Sequence, residues 1–192
     1  MEKEMEKSAS GEKYQQPARP AIISNGAQIF LRVLVVVCSA SAAYLMFTSK
    51  EEKLVYGFPM SAKWSDSPST VYGAYVDVVV GASALVSLFI TLITLRQRGH
   101  TIYFVLFLHD LMMMSLQLGG CVAATSIGYV AKHGFEKAGW IPICDNFCSF
   151  CTRAKTSVTI AFGSTVMLFV LCIIFAINSR HMHVHVISTA NV

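Results

Sequence analysis

TIYFVLFLHDLMMMSLQLGGCVAATSIGYVA, residues 101–131, reads as one helix through a lipid bilayer, and it carries an acid, Asp110, among its apolar residues. The run is continuously apolar and lacks the alternation of a membrane barrel strand, and a crossing helix needs only ~20 such residues. As a helix it would measure ~46 Å against a hydrocarbon core of ~30 Å, so it must tilt or project beyond the lipid. Projection is expected on the side of Gly128 and Tyr129.

Working outward, three more stretches have this character: residues 27–47, 70–95 and 156–177. The composition agrees, since 54% of the 192 residues are hydrophobic and 14% charged, where a soluble domain has about a quarter charged. The expected architecture is an all-α integral membrane four-helix bundle over residues 27–177. Around it lie a disordered N-terminal tail (1–26), outer loops (48–69 and 132–155) and a C-terminal tail (178–192). No soluble domain of ordinary size fits outside the membrane.

Four crossings put both termini on one side. The two sides carry equal numbers of Lys and Arg, but the turn Arg96, Gln97, Arg98, Gly99, His100 sets two cations against helix ends with no acid between them. Density of basic charge therefore places the termini in the cytosol. A rival reading takes Ala40, Ser41, Ala42 as a signal-peptidase site, but the leader before it is unusually long for a signal.

Arg32, in LRVLVVVCSA (31–40), is the second charge at membrane depth. Such a charge costs ~3 kcal/mol or more, so it is expected to face a partner, a cavity or another charge. The first and third helices run in the same direction, and the depths of Arg32 and Asp110 differ by only ~6 Å, within reach of an arginine. Asp77 is expected near the outer surface, where it can stay hydrated. His109 points ~100° away from Asp110, and Met112, Met113 and Met114 read as packing rather than a metal box. Small residues mark packing faces: Gly120, Ala124 and Gly128 in the third helix, Ser83, Ser87 and Thr91 in the second, and Ser39 to Ala43 in the first.

The second outer loop holds WIPICDNFCSFCTRAK (140–155). Cys144, Cys148 and Cys151 match the C-x3-C-x2-C spacing of radical-SAM clusters, but a short loop cannot supply the enclosing domain. Cys148 and Cys151 form a C-x-x-C, as in quinone-linked membrane thiol oxidases, though no second dithiol lies outside the membrane. The alternative is one structural disulfide on an oxidising side plus an odd thiol. His181, His183 and His185 would converge only on an extended strand, so the tail reads as solvated. No phosphate loop or hydrolase constellation appears, no cofactor or metal site is indicated, and the net charge of +4 suits anionic lipid rather than nucleic acid.

Taken together, Arg32, Asp110, the short basic turn, and Trp140 ahead of Cys144 and Cys151 in GWIPICDNFCSFC resemble a known pattern. The chain resembles the plant Casparian strip membrane domain proteins and their CASP-like relatives, which are similar in organisation to MARVEL-type four-helix proteins. The resemblance covers about residues 27–178. It implies a Cys144–Cys151 bridge with Cys148 as an extra thiol. The first outer loop, TSKEEKLVYGFPMSAKWSDSPS, lacks the short signature of the strip proteins proper, so the likeness is to the CASP-like branch.

The resemblance implies a non-catalytic plasma-membrane scaffold that forms homodimers or higher homo-oligomers, hetero-oligomers with related four-helix proteins, and domains that recruit cell-wall-modifying proteins. Arg32 and Asp110 would form a structural ion pair, with Gly120, Ala124 and Gly128 in helix packing. Two other readings are carried forward: a small-solute or proton transporter using Arg32, His109 and Asp110, and a thiol oxidoreductase using Cys148 and Cys151.

Overall fold

The computed structural model of the chain describes residues 19–55, 58–94, 100–135, 137 and 139–190, with backbone alone at 19–25, 55, 58, 94, 100, 101, 103 and 178–190. Residues 1–18 of the expected disordered tail and the basic turn at 96–99 lie outside the described residues. The same holds for the side chains of His181, His183 and His185.

Four helices carry the fold: α1 (Arg19–Phe47), α2 (Pro68–Thr94), α3 (His100–His133) and α4 (Cys148–Ala190). Each contains a segment long and apolar enough to cross a membrane: Gly26–Phe47, Pro68–Ile93, Phe104–His133 and Cys148–Ile177. The protein is a multi-pass membrane protein with an all-α core. The packed pairs are α1 with α2, α2 with α3, α3 with α4, and α4 with α1. The helices thus close a ring in which α1 and α3 stand on opposite corners.

Several helices run longer than the apolar pattern alone suggests. α1 begins at Arg19, so residues 19–26 are helical rather than part of a disordered tail. Pro20 sits in its first turn, where a missing N–H leaves nothing unpaired. α4 begins at Cys148 and continues to Ala190, absorbing the end of the second outer loop and most of the C-terminal tail. No Gly or Pro interrupts residues 178–190, and polar residues extend a helix beyond lipid at small cost.

The first outer loop contains a hairpin that hydrophobic patterning did not reveal. Strands β1 (Lys50–Val55) and β2 (Phe58–Lys63) pair antiparallel, with Lys50 opposite Lys63 and Val55 opposite Phe58. Its base is held by aromatic edges: Phe47 lies 4.8 Å from Trp64 and 6.2 Å from Tyr75, near perpendicular to both. The Ser67 carbonyl accepts from Thr70 and Val71 and starts α2 at Pro68, a residue suited to a first helical position.

α3 ends at Gly134, whose φ of +72° gives the left-handed residue that commonly closes a helix. A Cβ at that position would also stand 2.7 Å from the Trp140 carbonyl. The chain then folds back, with Phe135 and Trp140 paired in both directions and the Ala131 carbonyl accepting from Ile143 and Cys144.

The bundle interior has an apolar middle of Val35, Val76, Val80, Ala84, Leu168 and Leu171, with Met113 and Met114 packed against it and Met112 exposed. The small-residue ridge of α3 divides in use. Gly120 and Ala124 are buried, and a Cβ on Gly120 would meet Val76 at 3.1 and 3.2 Å, whereas Gly128 is exposed with nothing within 4 Å. Gly120→Ala should therefore lower thermal stability in detergent by about 1–3 kcal/mol through overpacking. Gly128→Ala should be neutral or slightly stabilising, because Ala favours helix where space is open; equal losses from both would refute this division.

Candidate functional site

The site is built around Arg32, which sits one helical turn beyond Gln28 on the buried stripe of α1. Both side chains are about 1% exposed. A guanidinium presents five donors in a flat fork and matches a carboxylate two bonds at a time. Here Nη2 donates to Asp110 Oδ2 at 2.7 Å and Nη1 to Asp110 Oδ1 at 3.1 Å. The bridge crosses the bundle diagonally, from α1 to the opposite helix α3.

Arg32 also reaches the other two corners. Nη1 donates to Ser87 Oγ on α2, and the Phe175 ring of α4 lies beneath the guanidinium, 5.7 Å from its carbon to the ring centre. One side chain thus touches every other helix. Ser87 is itself positioned by a bond to the Ala84 carbonyl at 3.0 Å, and the carbonyl of Ser87 accepts from Thr91 at 2.7 Å. Arg32 Nε has no hydrogen-bond partner among the described residues.

His109 does not turn away from Asp110. Its Nδ1 lies 3.4 Å from Asp110 Oδ1, and its side chain is 32% exposed. The angle between successive helical side chains is wide, but an imidazole at the bundle edge can fold back over its neighbour's carboxylate.

A second polar layer lies toward the outer end. Asp77 is not hydrated at the surface: it is buried on α2 and accepts a hydrogen bond from Gln117 Nε2 on α3. Ser157 of α4 donates to the Ala42 carbonyl of α1 at 2.7 Å. Ser39 packs against Gly81, where a Cβ would stand 3.4 Å away. The small patch on α1 thus serves both flanking helices. Gln28 and Gln117 are the largest of the buried polar residues that sequence reading passed over, and their signal was an amide at i−4 from Arg32 and i+7 from Asp110.

The loops that join α1 to α2 and α3 to α4 form a tied cap. Cys144 and Cys151 are joined in a disulfide with Cα atoms 5.7 Å apart, and Cys148 is an exposed thiol. The C-x-x-C pair is therefore divided, one member bridged and the other free. Glu51 of β1 accepts from the Phe150 N–H at 2.9 Å, satisfying an open donor in the first turn of α4 from another element. Lys53 pairs with Glu51 at 2.8 Å and donates to the Asn146 carbonyl at 3.1 Å. Arg153 donates to the Thr48 carbonyl at 3.2 Å. The Lys53 hydrogen bond first, then the Phe150 N–H, holds the Glu51 carboxyl below its ordinary range, and the same pairing raises Lys53.

Comparison with known proteins finds one matching family model, described as the Casparian strip membrane protein domain, over residues 23–167. The chain is 46% identical over 170 residues to "CASP-like protein 1F2" of Populus trichocarpa, covering 88% of this chain and 94% of the relative. It is 43% identical over 168 residues to "CASP-like protein 1F1" of the same species, covering 87% and 93%. A third relative, "CASP-like protein 1F1" of Ricinus communis, is 39% identical over 176 residues, covering 90% and 97%. No solved structure matches.

Two outcomes are expected. Arg32→Ala or Asp110→Ala alone should cost about 3–5 kcal/mol, because each leaves a buried charge without its partner, while Arg32→Met with Asp110→Leu should recover most of the loss. Unfolding of the purified variants in detergent checks this; a double variant no better than the singles would refute it. Secondly, a depressed carboxyl contributes stability above its ordinary value of ~4.3 and loses it as pH falls through the folded value. Amide exchange at Phe150, corrected for intrinsic rates, should therefore rise on acidification below that range. Glu51→Ala should show the raised exchange already at neutral pH.

Proposed function

Because the chain belongs to the Casparian strip membrane protein domain family, we propose that it is a non-enzymatic scaffold of the plasma membrane with both termini in the cytosol. In this reading it associates with copies of itself and with related four-helix proteins. The resulting membrane domain recruits cell-wall-modifying proteins to its outer side.

The observation that carries the reading is that Arg32 is held by all three other helices. Its charge is met by Asp110, its Nη1 is shared with Ser87, and its face is covered by Phe175. Groups that move an ion or a proton need freedom to exchange partners along a path. This arginine is instead held by all three other helices, and the bundle beyond it is packed with Val35, Val80, Leu168 and Leu171. A lock of this kind suits a structural ion pair, and Gly120 and Ala124 serve the same end by close packing of α3 on α2.

Cytosolic termini are supported by the cation density of the turn between α2 and α3. An oxidising outer side agrees with the Cys144–Cys151 bridge. The outer cap offers exposed apolar groups, among them Leu54, Trp140 and Ile141, on a surface braced by the disulfide and by Glu51 and Lys53.

The test is single-molecule tracking of a tagged copy in plant plasma membrane, with Asp110→Asn as a comparison. The scaffold reading expects slow, clustered wild type, and a variant that either diffuses freely or is retained in the secretory pathway. Wild type that diffuses as a lone bundle at normal surface density would overturn it. So would an Asp110→Asn variant that clusters normally while losing a measured proton or solute flux.

A further inference from the structure

The outer polar layer contains more acceptors than donors. Asp77 and Gln117 share one hydrogen bond, from Gln117 Nε2 to Asp77 Oδ1. Gln117 is about 1% exposed, and its Oε1 has no hydrogen-bond partner among the described residues. A buried carbonyl oxygen without a donor carries its full desolvation cost, so a donor at this point would be held.

The room for one is present. Asp77 and Gln117 line a cavity of ≈ 10 Å³ bounded also by Met46, Gly73, Cys121 and Val158, so that all four helices contribute to its wall. That volume is at the lower end of what admits a single water, and a buried water needs two to four polar partners. A hard metal cation asks for about six oxygens, and among the lining side chains only Asp77 and Gln117 carry any.

We infer that this cavity is a binding site for one water molecule, which donates one proton to Gln117 Oε1 and the other to the Asp77 carboxyl group. The water completes a second brace of the bundle, between α2 and α3, as Arg32 completes the first. It also gives Asp77 a hydrated neighbour inside an otherwise apolar segment.

Solid-state magnetic resonance of the full chain in lipid bilayers, with ¹³C-labelled glutamine, tests this directly. Magnetisation should pass from water protons to the Gln117 side-chain carbon in wild type. Gly73→Ala is the partner variant, because a Cβ there meets Gly120 O at 3.4 Å and Ala124 at 3.5 Å, ordinary contacts that the fold accepts, while taking up cavity space. The transfer should fall at least severalfold in that variant. No transfer in wild type, or equal transfer in both proteins, overturns the proposal. Replacing sodium by choline in the buffer should leave thermal stability unchanged; a sodium-dependent rise would assign the cavity to a cation instead.

Discussion

A guanidinium inside a bilayer-spanning bundle must be satisfied by protein, since the surrounding lipid offers it nothing. Arg32 meets that demand by reaching the three other corners of a square: Ser87, Asp110 and Phe175. The ion pair runs along the diagonal between α1 and α3, which are not packed side by side. The other contacts then hold α2 and α4 at the distances this span requires. Lipid-embedded helices have little hydrophobic reason to stay together, so a polar group that reaches every neighbour supplies what oil-like packing cannot.

Two polar clusters join the helices of the interior, with an apolar cluster of Val35, Val80, Leu168 and Leu171 packed in the same bundle. One, around Arg32, is charged and reaches all four helices. The other, Asp77 with Gln117, joins α2 to α3, and Ser157 joins α4 to α1. Outside the lipid the same logic continues in smaller steps. Glu51 closes the open end of α4, Lys53 and Arg153 hold the hairpin and loop together, and Gly134 lets α3 stop where the next segment folds back.

The four crossings were legible because each needs a long apolar run, and such runs have few other uses. Arg32 and Asp110 stood out because charge at that depth is costly, and their similar depth made a meeting geometrically possible. Asp77 was misplaced because a carboxylate near a helix end looks able to reach water; the amide of Gln117, forty residues away in sequence, decides otherwise. The hairpin was hidden for a related reason. Lys50, Glu51, Glu52 and Lys53 have little β preference, and the strand they form with β2 is tied to the first turn of α4 by Glu51 and to the loop before it by Lys53. Gly128 shows the converse error: its spacing continues the ridge of Gly120 and Ala124, but the partner helix does not continue beside it.

The diagonal pairing also imposes an order in time. Arg32 and Asp110 are 78 residues apart, and a ribosome adds roughly 5–20 residues per second. The arginine is therefore in the chain for about 4–16 s before its partner is made. During synthesis every copy passes through a stage in which Arg32 has been made and Asp110 has not. The distance along the chain between two residues thus becomes a waiting time in synthesis.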